Sequence, residues 1–315
     1  MTAAENARPD SVLLIGFGGP EQPEDVLPFL RNVVRGREVS EARLAEVAHH
    51  YEALGGRSPY NELTREQARA LEAELARAGR PLPVFCGMRN WRPFLKETLA
   101  EMAVGGHRRA VGVILAAHRS PTSDQRYVLD VNRAREAVGV DAPEVKYLPP
   151  WFRQPLFIEA NAARLAEAVP GGGRPWPARV AVVFTAHSIP TAMAKASHYE
   201  ADLRETCKAV AARLEIADWR LAYQSRSGNP STPWLGPDIR ELLPEMAAAG
   251  VREVVAQPIG FLCDHVEVLW DLDIEARAVA EGVGLVFHRA GTVGSHPKFI
   301  HMLAELVRER LDGGG

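Results

Sequence analysis

The sequence predicts an α/β protein made of two similar, doubly wound parallel-sheet halves with a cleft between them. Three observations carry that expectation. Short apolar runs ending in Gly, His or Pro alternate with longer Ala/Leu/Glu/Arg stretches of helical period, the pattern of parallel strands covered by helices on both faces. A Gly/Pro cluster, PGGGRPWP at 170–177, interrupts the periodic segments, and the pattern then restarts. The restart is an echo: RVAVVFTAHSIP (179–190) repeats the order of SVLLIGFGGP (11–20), and VREVVAQPIGFLCDH (251–265) that of RRAVGVILAAHRSP (108–121).

Along the chain, SVLLIG reads as a buried strand and FGGP as its turn. VSEARLAEVAHHYEAL (39–54) and ELTREQARALEAELARAG (62–79) have helical period, the first with Ser40 as N-cap. LPVFCGMR (82–89) and RAVGVILAAH (109–118) are the next strands. The Gly/Pro cluster divides the chain into an N-terminal domain over 1–170 and a C-terminal domain over 178–315, whose last helix is expected to pack back on the first. Ligands of open parallel sheets bind beyond the carboxyl ends of the strands. Phe17, Arg89, His118, His187, Gln224 and Asp264 are therefore expected to meet in one cleft.

Composition narrows the function classes. With 315 residues and a formal charge of −3, the chain suits two compact domains and shows no basic footprint for nucleic acid. Its three scattered cysteines, Cys86, Cys207 and Cys263, argue for a reducing compartment rather than a disulfide framework. The polar opening MTAAENARPD has no apolar signal region, and no run of about twenty apolar residues predicts a membrane span. A cytoplasmic protein without integral membrane contact is expected.

The stretch FLCDHVEVLWDLDIEAR (261–277) raises the chemical question. At about 100° per residue, Asp264, Glu267, Asp271 and Glu275 fall within an arc of about 80°, flanked by Val268 and Leu272 on one side and Trp270 and Ile274 on the other. A solvated face explains acids on a helix, but like charges at i,i+4 repel by about 0.2–0.5 kcal/mol per pair. Acids held together between large apolar residues also suit a track for a hard or borderline cation. His187 ends a strand in VVFTAHSIP; it reads either as a structural histidine or, with Glu267, as an open ligand set or general-base pair.

Other signals are weak. GFGGP (16–20) starts like a dinucleotide fingerprint, but Pro20 breaks the spacing, so no nucleotide cofactor is expected. H-E-x-x-H, G-x-S-x-G and P-loop motifs are absent. His49 reads as helix surface. YQSRSGNPSTPWLGPD (223–238) is a long polar loop carrying Trp234, which reads either as a functional loop or as plain surface.

Taken together, LLIGFGGP, HYEALGGRSP (50–59), GMRNWRPF (87–94), FTAHSIP (184–190), YQSRSGNPSTPWLGPDI (223–239) and PIGFLCDHVEVLWDLDIEAR (258–277) resemble the ferrochelatase family, whose members insert Fe(II) into a porphyrin. The resemblance covers nearly the whole chain in family order, and its wording is closest to the bacterial branch that uses coproporphyrin III, particularly the actinobacterial type. It implies two Rossmann-like, chelatase-type domains. It also implies that His187 and Glu267 face each other across the porphyrin, and that Asp271 and Glu275 continue as a polar line toward the surface on a widened π-helical turn. The metal set is thus His187, Glu267, Asp271 and Glu275.

By position, the resemblance matches Ser58 and Tyr127 to propionate-holding residues, His50 and Tyr51 to an adjoining contact pair, and Arg89 to a basic position near the cleft. Asn90 stands where some relatives have His. Phe17 replaces a Tyr that lies under the metal in some relatives, removing an axial oxygen. Ile15, Met88, Trp91, Trp234 and Leu262 are candidate walls. No [2Fe–2S] cluster is expected, because the usual four cysteines are incomplete.

The implied reaction takes Fe(II) as substrate and gives Fe-coproporphyrin III in haem biosynthesis, with transient contact to downstream haem-synthesis enzymes and a monomeric state. The competing readings are a protoporphyrin IX ferrochelatase, a cobalt chelatase acting on a sirohydrochlorin-type ring, and a non-catalytic porphyrin or haem carrier. If neutral His187 is ligand or base, activity falls below about pH 6.

Overall fold

The structure, a computed structural model, describes residues 8–173, 175–226 and 232–313. Residues 227–231 of the long polar loop and Arg174 of the Gly/Pro cluster lie outside the described residues.

β1 (Ser11–Gly16) is buried at every position because it is an inner strand. It pairs in parallel with β2 (Val84–Met88) and with β3 (Arg109–Ile114), and β4 (Glu144–Tyr147) closes the far edge in the order β2-β1-β3-β4. The second sheet repeats this winding with β5 (Val180–His187), β6 (Trp219–Gln224), β7 (Glu253–Gln257) and β8 (Val286–Arg289), in the order β6-β5-β7-β8 and parallel throughout. The sequence echo is therefore topological: β1 corresponds to β5, and β3 to β7.

In chain order the helices are α1 (Val26–Val33), α2 (Glu41–Ala53), α3 (Tyr60–Arg77), α4 (Leu95–Val104), α5 (Arg126–Val138), α6 (Pro155–Glu167), α7 (Thr191–Lys195), α8 (Tyr199–Arg213), α9 (Ile239–Ala248), α10 (Val266–Val268), α11 (Arg277–Gly282) and α12 (Pro297–Leu311). A π-helix over Leu269–Ala276 joins α10 to α11. Ser40 caps α2 as its sequence context predicts: its Oγ accepts from the Arg43 N–H at 3.2 Å, a contact worth about 1 kcal/mol.

The largest core cluster belongs to neither half alone. It joins Leu71 and Leu75 of α3, Phe157 of α6, Phe184 of β5 and Phe299 and Leu303 of α12. The rings of Trp151, Phe157 and Phe299 pack with centroids 5.1–6.1 Å apart. The last helix contacts α3 and the segment after it: His301 lies 2.6 Å from Glu74, and Arg80 pairs with Asp312 at 3.1 Å. α6 lies before the Gly/Pro cluster, yet it packs on α8 and α12, and its Asn161 carbonyl accepts from Gln257 of β7 at 2.8 Å.

GFGGP serves close packing. A Cβ on Gly19 would lie 2.7 Å from the Ser58 Cβ, so the turn after β1 presses directly on the loop after α2. The Asn61 side chain fixes this approach by accepting from the Gly19 N–H at 3.0 Å and donating to the Gly19 carbonyl at 3.1 Å.

Candidate active site

His187 is the last residue of β5. Its position depends on the segment after β7, where Gly260 lies flat against β5: the Gly260 N–H donates to the Thr185 carbonyl at 3.0 Å. A Cβ on Gly260 would sit 2.6 Å from the Ala186 Cβ and 2.8 Å from its Cα. Behind the strand end, the Tyr199 hydroxyl donates to the His187 carbonyl at 3.0 Å. The ring of His187 is oriented by its own neighbour, with Nδ1 2.5 Å from the Ser188 carbonyl oxygen. A carbonyl only accepts, so the proton resides on Nδ1 and the Nε2 lone pair is free.

His187 Nε2 is 3.9 Å from Glu267 Oε2, with side-chain exposures of 35% and 41%. The two side chains therefore stand side by side. Glu267 is placed by α10, whose N-cap is His265: its Nδ1 accepts from the Glu267 N–H at 3.1 Å. His265 was not singled out by the sequence reading. It stacks edge-on against Phe261 at 5.2 Å and lies 5.9 Å from the Tyr60 ring, and burial lowers its pKa against the pull of Glu267 and Asp264.

The acid line is real but each member has its own partner. Asp264 leaves the line altogether: it accepts from Arg289 at 2.8 Å and from the Thr292 N–H at 3.3 Å. The bases absent from the local sequence arrive from distant segments, Arg289 from β8 and Arg240, which reaches Glu275 at 2.9 Å, from α9. Asp271 accepts from the Gln224 amide at 3.2 Å and from the Ser225 hydroxyl. Ser225 is held at φ +59, a left-handed conformation unusual outside glycine and typical of constrained functional loops. The helix from Leu269 to Ala276 is a π-helix, as the resemblance implies. Among the described residues, no group of three or more His, Cys, Asp or Glu side chains forms a cage able to hold a metal ion.

Burial raises the Asp271 pKa to about 7, with Glu267 and Glu275 adding to the rise and the Ser225 hydroxyl opposing it. The linkage has a definite sign. An acid whose folded pKa lies above its unfolded value contributes stability present below the unfolded value, near about 3.9, and lost as pH rises toward the folded one. Asp271→Asn is thus expected to raise Tm at pH 8. The gain should grow between about pH 4 and pH 7, the window set by the shift, and level off above it. Melting curves across pH check this; a gain of equal size at pH 4 and pH 8 would contradict it.

The remaining predicted residues divide. Phe17 is half-buried, edge-on to Phe29 at 6.1 Å, and its N–H donates to the Tyr60 hydroxyl at 2.8 Å. Tyr51 packs with Phe29 and with Val266, next to Glu267; burial and that carboxylate push its phenol above the usual range. His50 stacks on Trp270 at 4.1 Å and 9°, joining α2 to the π-helix, and burial lowers its pKa. Ser58 is buried, and its Oγ accepts from the Tyr60 N–H at 3.3 Å.

The others are held by the core or by a partner. Arg89 is tied to Asp130 at 2.5 Å and lies over the Tyr127 ring, so it is not a free cation for the cleft. Tyr127 packs into the core with Leu13 and Ile15, its phenol pushed up to about 12 by burial. His118 lies between the halves, 3.0 Å from the Thr206 hydroxyl, with its pKa pushed down to about 4 by burial. Ile15, Met88 and Leu262 are core residues rather than walls, whereas Trp91 and Trp234 are half-buried. Asn90 is buried, with its amide nitrogen unpartnered.

Comparison with known proteins shows the family. A family model described as Ferrochelatase matches residues 9–311. The coproporphyrin III ferrochelatase of Nocardia farcinica is 45% identical, covering 96% of this chain and 89% of that protein. The ferrochelatase of Rhodopirellula baltica is 44% identical over 96% of this chain and 86% of its own, and the coproporphyrin III ferrochelatase of Mycolicibacterium smegmatis 43% identical over 96% and 90%.

Among solved structures, SirB from Bacillus subtilis with Fe3+ superposes with a TM-score of 0.59 at 13% identity, covering 96% of both chains. DR2241 from Deinococcus radiodurans, described as structurally similar to chelatases, gives 0.57 at 17% identity over 97% of this chain and 56% of its own. These two likenesses concern the fold. The family match runs from the first strand into the last helix and takes in the paired His and Glu, and the chain belongs to the ferrochelatase family.

Proposed function

We propose that this chain is a metal-inserting lyase that places Fe(II) into coproporphyrin III, giving Fe-coproporphyrin III for haem biosynthesis in the cytoplasm. The observation that carries the chemistry is the pair itself, His187 Nε2 beside Glu267 Oε2 at 3.9 Å, with the opposite ring nitrogen committed to Ser188. Insertion exchanges one Fe(II) for two pyrrole N–H protons without any change of oxidation state. Nε2 of His187 accepts one proton and Glu267 the other; where Nε2 instead holds the incoming ion, both protons leave in turn through Glu267. Asp271, close to its titration point at neutral pH, and Glu275 carry charge from the pair toward solvent. Two side chains are too few to retain a metal, which suits a site that hands its ion on.

The ring contacts fall to Phe17, His50, Tyr51 and Ser58, all on the N-terminal half. The coproporphyrin assignment is supported by the Nocardia and Mycolicibacterium relatives that carry that name. No helix among the described residues is long and apolar enough to cross a membrane. Fe-coproporphyrin III is a product that a downstream haem-synthesis enzyme must receive, by transient contact.

The test is anaerobic Fe(II) insertion into coproporphyrin III and protoporphyrin IX in parallel, followed by the Soret and visible bands. Coproporphyrin III is expected to give at least about tenfold higher kcat/KM, a difference of about 1.4 kcal/mol. Faster turnover of protoporphyrin IX would reassign the substrate, and binding without turnover of either would leave a carrier.

A further inference from the structure

The His187 carbonyl is satisfied by a side chain rather than by the sheet. Carbonyls two residues apart on a parallel strand point to the same neighbour. The β5–β7 ladder ends at Phe184 and Gln257, and Gly260 adds one further rung by donating to the Thr185 carbonyl at 3.0 Å. The His187 carbonyl is the next acceptor on that side, past the last rung. The Tyr199 hydroxyl donates to it at 3.0 Å and takes the place of the missing backbone donor.

Tyr199 is the first residue of α8, and the residues that follow it on that face of the helix are tied to the loop after β3. Asp202, three positions on, is buried and accepts from Arg119 Nε at 2.8 Å, from its Nη2 at 2.6 Å and from the Arg119 N–H at 3.2 Å. Thr206, one turn further, has its Oγ1 3.0 Å from His118 Nε2 and 3.2 Å from the Phe152 carbonyl oxygen. Spacings of three and seven put all three side chains on one stripe of α8. Arg119 and Arg153 both lie over the Phe152 ring, and Arg153 returns to α8 through Glu205 at 2.6 Å. A bidentate guanidinium–carboxylate contact is directional, so it holds the first turn of α8 in orientation as well as in place.

We propose that Tyr199 is a positioning residue for His187, and that the Arg119–Asp202 pair fixes the first turn of α8 from which Tyr199 reaches. The loop after β3 thereby helps to place the Nε2 that handles the proton or the ion. Tyr199 acts through the backbone of His187 alone. This rests on the role of His187 proposed above.

The test uses the full-length chain with anaerobic Fe(II) and coproporphyrin III, reading kcat and KM from the visible bands and Kd from Soret titration with the metal-free porphyrin. Tyr199→Phe keeps the ring and removes only the donor. It is expected to lower kcat about tenfold with KM and Kd within about twofold, as displacement of a reacting group predicts. In a His187→Ala background the same change should lower kcat no further, because the residue it positions is gone. Arg119→Lys keeps the charge and loses the two-pronged contact. It is expected to lower kcat about fivefold, and to add nothing in a Tyr199→Phe or a His187→Ala background.

A Tyr199→Phe kcat within about twofold of wild type would overturn the role of Tyr199. So would a rise in KM matching the fall in kcat, or an equal loss in the His187→Ala background, which would mark the effect as one on the fold. Should Tyr199→Phe not fold, Arg119→Lys decides: wild-type kcat in a normally melting variant, or an equal loss without His187, overturns the link. Undiminished kcat in His187→Ala alone would instead overturn the reading of the His187–Glu267 pair.

Discussion

His187→Ala and Glu267→Ala are each expected to lose Fe(II) insertion by about a hundred- to ten-thousand-fold in kcat, the usual range for removing a positioned acid–base group. Porphyrin binding should change little, because neither residue lies among the proposed ring contacts. The argument rests on the tautomer. With Nδ1 held by the Ser188 carbonyl, only Nε2 can take a proton or touch the ion, and Ala leaves nothing there. The double variant should lose no more than the worse single one, since residues acting as a unit are not additive. Single-turnover insertion at saturating porphyrin measures this. Rates within about threefold of wild type in both variants would remove the pair from the mechanism.

Gly260→Ala is expected to damage both fold and turnover from outside the pair. The added methyl would meet the Ala186 Cα at 2.8 Å and its Cβ at 2.6 Å, so the end of β5 must move. The next residue is His187. Overpacking of this kind costs about 1–3 kcal/mol, which lowers Tm by several degrees. A displacement of about 1 Å at the reacting group costs on the order of a hundredfold in rate. Gly282→Ala is the control: nothing lies within 4 Å of its added Cβ, and activity and Tm should be unchanged or slightly improved. Wild-type kcat in Gly260→Ala would show that β5 does not need that close approach.

The fold class was readable because the inner strands are the apolar ones. β1, β3, β5 and β7 all appear as runs bounded by turn residues, and all are inner strands of their sheets. The edge strands β4 (EVKY) and β8 (VFHR) are only four residues long and half polar, so nothing in them stands out from loop. α3 begins at Tyr60, two residues before the predicted Glu62, because Pro59 serves as its N-cap.

The site was legible in its motifs and illegible in its pairings. His187 and Glu267 were found, and they meet. Their side-by-side arrangement follows from how β5 and the segment after β7 pack through Gly260, a tertiary contact no local pattern encodes. The acids appeared unneutralised because Arg240 and Arg289 lie 35 and 25 positions from their partners Glu275 and Asp264. Arg89 was expected in the cleft because it follows a strand end, but Asp130, from α5, claims the arginine. Strand-end position locates a region; it does not say which way a side chain turns.

The shared core has a mechanical consequence. Because α3, α6, β5 and α12 bury their large side chains in one cluster, the protein is joined along its spine and cannot swing apart as two rigid shells. Outside that spine, where α2 meets the π-helix, the halves are held more lightly, by a stacked pair of rings, His50 on Trp270.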